Sequence, residues 1–138
     1  NRLLQDPRVD PSYDNNHAIR YASRNGHIVI VNKLLEDPRV DPSGYDNCAI
    51  KWASEKGHIN VVDRLLEDSR VDPSDANNYA IIMASEKGHI VMVNRLLEDP
   101  RVDPSADNNY TILYGNKVVV NRLLRDHRLR GRACRSSR

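Results

Sequence analysis

Only two of the 138 residues are cysteine, Cys48 and Cys134, and they stand far apart in unrelated contexts. That leaves no disulfide framework and no paired metal spacing, and it points to a reducing compartment. No apolar run approaches the ~20 residues that span a bilayer, and no secretory pattern occupies the opening residues. The expectation is an intracellular, cytoplasmic protein with no membrane contact. Catalytic signatures are missing as well. There is no nucleophile elbow, phosphate loop or dinucleotide fingerprint, and Gly115-Asn116-Lys117 alone does not make one. Cys48 has no neighbouring base to activate it. Asp37 and Asp41, separated by Pro and Arg, read as turn formers rather than as a calcium loop. The chain is therefore expected to be no enzyme and to take no cofactor and no metal.

What the chain has is repetition. Asn1-Arg2-Leu3-Leu4 returns as Asn32-Lys33-Leu34-Leu35, Asp63-Arg64-Leu65-Leu66 and Asn94-Arg95-Leu96-Leu97, each time after 31 residues. Asn121-Arg122-Leu123-Leu124 follows after only 27. A fixed period of this length marks an array in which one supersecondary unit stacks on the next, making long surfaces rather than enclosed pockets. The boundaries are 13–43, 44–74 and 75–105, with a truncated unit over 106–126. Residues 1–12 match the end of a preceding unit, so a fragment of a longer array is expected, and 127–138 form a basic tail. From Lys117 onward eight Arg or Lys face one acid, Asp126, about +7, which leaves about −5 on the first 116 residues of a chain whose total is +2.

Within a unit, Asn16 to Ser23 reads as a short helix with Asn16 as its N-cap. Ala18, Ile19 and Ala22 make a narrow stripe of small and branched residues, and Gly26 ends the helix where a left-handed residue is needed. His27 to Glu36 contains Ile-Val-Ile-Val, which alone would pass for a strand. Ile28, Val31, Leu34 and Leu35 nevertheless share one face of a 3.6 period, with Asn32-Lys33 opposite, so the segment is read as helix. Asp37-Pro38-Arg39-Val40-Asp41-Pro42-Ser43 must then stop it, because each Pro removes a donor and disfavours helix before it. The fold class is all-α: helix, tight turn, helix, projecting loop.

That order, with Gly26-His27 between the helices and Val31 and Leu34-Leu35 in the second, resembles the ankyrin repeat. Gly57-His58 and Gly88-His89 repeat the pair, and the resemblance runs from Asn1 to about Asp126. The unit is two residues shorter than the family's usual 33. His17-Ala18-Ile19-Arg20, Cys48-Ala49-Ile50-Lys51 and Tyr79-Ala80-Ile81-Ile82 stand where the family has Thr-Pro-Leu-His. The Asp-Pro-Arg-Val-Asp-Pro-Ser loop is similar to a divergent subtype of amoebae and giant viruses. The resemblance implies an ankyrin-type solenoid with projecting loops. Its loop tips and first helices would line a concave, partner-binding groove, and its second helices would form the convex layer. In the truncated unit four residues are missing before Gly115, more than a helical turn, so its first helix is expected to be short or frayed.

Comparing the units separates framework from freedom. Ala18/Ala49/Ala80, Ile19/Ile50/Ile81, Gly26/Gly57/Gly88, the Val31 series, the Leu pairs and Arg39/Arg70/Arg101 are nearly fixed. Variation falls on the loop tip and first helix. The candidate partner-binding residues are Tyr13, Asp14, His17, Arg24, Asn25, Tyr45, Cys48, Glu55, Lys56, Asp75, Tyr79, Glu86, Lys87 and Asp107. Tyr45, an aromatic on a loop tip, is a natural interface anchor, whereas Tyr21, Trp52 and Met83 are read as filler at the core edge.

His27, His58 and His89 lie one unit apart, and packed helices 8–10 Å apart cannot bring them to one ion. They are assigned a structural role at the start of the second helices. Arg122, Arg125, Arg128, Arg130, Arg132, Arg135 and Arg138 could meet phosphates in a salt-sensitive way, but no folded nucleic-acid motif accompanies them, and a solvated end is the expectation. The function expected is non-catalytic binding of another protein, by a segment that is monomeric in isolation. The alternatives are a structural spacer within a longer array and weak nucleic-acid binding through the tail.

Overall fold

Each 31-residue unit forms a longer helix, a glycine turn, a shorter helix and a loop in the computed structural model, which describes residues 8–105 and 117–123. The helices are α1 (Tyr13–Arg24), α2 (Ile28–Leu35), α3 (Gly44–Lys56), α4 (Ile59–Leu66), α5 (Asp75–Glu86), α6 (Ile90–Leu97) and α7 (Lys117–Leu123). The described residues are all-helical, with no strand among them. The Ile-Val-Ile-Val segment is helical, as its spacing predicts. Val31 and Leu34 are buried, Ile28 and Leu35 are partly so, and Asn32 and Lys33 face water. In the truncated unit, α7 begins at Lys117, the position where α2, α4 and α6 begin with isoleucine. The opening of that unit and the basic tail lie outside the described residues.

Equivalent helices lie side by side in repeat order. α1 packs on α3 and α3 on α5, while each first helix also packs on its own second helix. The small residues at the stripe positions permit this approach: Ala49, Ala53, Ala80 and Ala84 are fully buried beside Ile19, Ile50 and Ile81. Ser23, Ser54 and Ser85 sit equally deep, and their hydroxyls find no hydrogen-bond partner. Leu65 and Leu96 close the layer from the second helices; truncating such a residue to Ala costs about 2–5 kcal/mol.

The first helices do not begin as expected. Asp14-Asn15-Asn16, Tyr45-Asp46-Asn47 and Ala76-Asn77-Asn78 all lie in the left-handed region, with φ between 54° and 65°. Each first helix thus opens with a left-handed turn before the right-handed helix starts at His17, Cys48 or Tyr79. Such backbone costs roughly 1–2 kcal/mol per ordinary residue and least for Asn or Asp, which is why these two types dominate the segment. Asn16 is accordingly not the N-cap expected, since it lies in left-handed backbone inside α1, and the serines that precede α1, α3 and α5 make no side-chain cap bond. The Asn16 Oδ1 instead accepts the backbone N–H of Asp41, 2.8 Å away in the chain entering the next unit. Asn47 does the same for Asp72 and Asn78 for Asp103, each at 2.8 Å.

Two more inter-unit links repeat. Asp37 accepts the backbone N–H of Arg39 at 3.0 Å and pairs with its guanidinium at 2.7 Å, and Arg39 then donates to the Val9 carbonyl at 2.9 Å. Arg70 reaches the Val40 carbonyl and Arg101 that of Val71. Asp41 closes the second turn of the loop by accepting the Ser43 N–H at 2.9 Å. Gly26 and Gly57 take φ +74° and +79° to end α1 and α3, and a Cβ on either would lie within 3 Å of the next unit's imidazole, His58 or His89. The histidines therefore stack against the preceding unit's glycine turn.

Candidate functional site

The left-handed turn and the first helix together aim one row of side chains away from the core. Along α1, His17 stacks on Tyr21 with ring centres 4.4 Å apart, and Asp14 pairs with His17 at 3.4 Å. Tyr21 meets Trp52 of α3 edge to face at 6.2 Å. The guanidinium of Arg24 lies over both rings, 5.9 Å from Tyr21 and 5.2 Å from Trp52. Arg20 lies 4.9 Å from the ring centre of Tyr45, and Lys51 5.9 Å from that of Tyr79. Cations and aromatic rings thus alternate from one unit to the next. Each such contact is worth roughly 0.5–1 kcal/mol at an exposed site and more when desolvated.

Between α3 and α5 the row opens into a cleft of ≈ 230 Å3 lined by Tyr45, Asp46, Cys48, Lys51, Trp52 and Tyr79. Cys48 forms its inner wall, almost fully buried. Burial pushes its thiol pKa up, against the pull of the Arg20, Lys51 and Arg24 charges. Burial also raises the Tyr79 hydroxyl, aided by the carboxylates of Glu55 and Glu86. At neutral pH both groups therefore stay protonated.

The sequence candidates divide in the structure. Tyr13, Asp14, His17, Arg24, Asn25 and Tyr45 are exposed on the first unit and on the tip of the second. Tyr79 joins them at the cleft. Asn25 turns back to donate to the Tyr21 carbonyl at 3.0 Å. Asp75 accepts from Asn47 at 2.8 Å, so it belongs to the framework as much as to the face. Glu55 offers its backbone carbonyl to His89 Nε2 at 3.0 Å, while its side chain is half-exposed. Lys56, Glu86 and Lys87 end α3 and α5, beyond the aromatic row. Asp107 lies outside the described residues.

Four residues outside the candidate set also line this row. Tyr21 is 44 % exposed and forms the row with Trp52, so neither is merely core filler. Arg20, only 7 % exposed, donates to the carbonyls of Asn15 and Asp14 and lies 4.0 Å from the Asp14 carboxylate. Lys51 lines the cleft. The available signal was that the varying positions 20, 21, 51 and 52 pair bases with aromatics at the unit spacing. Compared with known proteins, the chain matches no family model and has no significant match among curated proteins. Among the described residues, no three His, Cys, Asp or Glu side chains converge on a possible ion site, and no helix is long and apolar enough to cross a membrane.

Proposed function

We propose that the chain is an ankyrin-type repeat solenoid that binds another protein, without catalysis or cofactor, on the concave face made by its first helices and loop tips. One observation carries this reading. The Asn, Arg and Gly-His links that recur between units are constant in type, whereas the residues that differ between units form a partly exposed row of rings and cations. Aromatic and Arg side chains held in place before a partner arrives are what dominate binding energies at interfaces, and little ordering entropy then opposes association. A reducing, cytoplasmic setting fits the free thiol of Cys48.

The test is retention of partners from the native cell's lysate, after nuclease treatment, on three forms of the chain. Wild type should retain a protein that the Tyr13→Ala/Arg24→Ala/Tyr45→Ala form loses. A form altered on the second helices, Lys33→Ala/Arg64→Ala, should keep it. Equal recovery on all three moves the site off this face, and no recovery on any makes the array a spacer.

A further inference from the structure

Most cations on the loops and second helices are answered by carboxylates. Arg39, Arg70 and Arg101 pair with Asp37, Asp68 and Asp99 at 2.7–2.8 Å. Arg64 pairs with Glu67, Lys33 with Glu36, and Arg95 with Asp63. Arg24 and Lys51 are different. Among the described residues neither has a carboxylate within ion-pair distance, and both lie against ring faces instead. Glu55, one turn beyond Lys51, makes no ion pair with it. Lys56 and Lys87 also lack acids, but they stand exposed at helix ends with no ring beneath them. A guanidinium laid on an indole keeps its edge donors in plane and free, so it is oriented without being used. Arg20, nearly buried beside Tyr45, adds positive potential that only the Asp14 carboxylate at 4.0 Å answers.

The cleft beside these cations, at ≈ 230 Å3, is smaller than the usual small-molecule site of about 300–1,000 Å3. It has room for one side chain, and three of its six lining residues are rings. Asp46 lines it too, so the site can balance one added carboxylate against Arg24 and Lys51 but not the several charges of a phosphate backbone. Building on the interaction reading above, we propose that this face selects a protein segment that sets an Asp or Glu at the edge of Trp52, between Arg24 and Lys51. The segment's adjacent apolar side chain fills the cleft between Trp52 and Tyr79. The carboxylate supplies the charge missing from the two stacked cations, and the apolar neighbour supplies the buried area.

A displayed library of random octapeptides, selected on the full chain, tests this directly. The expected result is enrichment of Asp or Glu next to Leu, Met or an aromatic residue. The best peptide, made synthetically, should change the emission of Trp52, the only tryptophan in the chain. Arg24→Glu/Lys51→Glu should weaken that peptide at least about tenfold and turn the selection toward Lys and Arg. The milder Arg24→Ala/Lys51→Met form, checked for helix content by circular dichroism, should show the same loss without the reversal. Enrichment of basic or uncharged sequences, silent Trp52 emission, or no enrichment overturns the proposal. Lysate capture that depends on Tyr45 together with selection of uncharged peptides would discard the carboxylate and keep the interaction reading; loss of both would discard both.

Discussion

Asn47 ties three segments together, and replacing it separates two physical effects. Its Oδ1 accepts the Asp72 N–H and its Nδ2 donates to the Asp75 carboxylate, both at 2.8 Å, while its own backbone sits at φ 58°. Asn47→Ala deletes two hydrogen bonds, worth about 1 kcal/mol each in a partly exposed setting. It also puts a Cβ without a compensating polar group into the left-handed region, at about 1 kcal/mol more. The total is about 3 kcal/mol. Asn47→Gly loses the same bonds but not the backbone term, so about 2 kcal/mol is expected. In an ordinary helix the order is opposite, with Gly about 1 kcal/mol worse than Ala. Urea unfolding followed by helix circular dichroism reads both. With a slope of about 2 kcal/mol per molar, the midpoint should fall by about 1.5 M for Ala and about 1 M for Gly. If Asn47→Ala proves as stable as Asn47→Gly or more so, the left-handed opening of the first helix is refuted.

Two further outcomes are expected. The Arg39 guanidinium and backbone N–H hold the Asp37 carboxyl down at about 2, and Asp68 and Asp99 are lowered by Arg70 and Arg101 in the same way. Because these folded values lie below the unfolded carboxylate's value of about 3.9, their stabilisation is complete above that pH and is lost as the pH falls through the folded values. Carboxyl NMR titration should find Asp37 near 2 in wild type and in the ordinary range in Arg39→Ala; a wild-type midpoint near 4 would contradict the pairing. Ser54→Ala should stabilise the chain by about 1 kcal/mol, because it removes a fully buried hydroxyl that has no partner and leaves the packing nearly unchanged. A destabilisation of similar size in urea would mean that the hydroxyl is bonded.

The helices, the glycine turns and the loop were legible because periodicity and proline act locally. Val31, Leu34 and Leu35 announce a buried face whatever lies next to it. The start of the first helix was misread for a non-local reason. Asn is favoured both as an N-cap and in left-handed backbone, and only the position of the Asp41 N–H, 25 residues further on, decides between them. Likewise, a Tyr or Trp at position 21 or 52 looks like core-edge filler in a single unit. It becomes a surface row only when Arg24 is seen lying over the rings of two successive units, Tyr21 in its own and Trp52 in the next.

The inter-unit links explain why the face can vary at all. Arg39 bonds a backbone carbonyl, Asn16 bonds a backbone N–H, and His58 packs against a glycine that has no side chain. All three use groups on the neighbouring unit that are independent of its varying side chains. Tyr13, Gly44 and Asp75 can therefore occupy equivalent places, as can His17, Cys48 and Tyr79, without any of these links changing. A substitution at an exposed position such as Tyr13 or Tyr21 alters what the face presents and leaves these three links intact. That separation lets units of one framework set Arg24 over Trp52 in one place and Lys51 over Tyr79 in the next while the links between units stay the same.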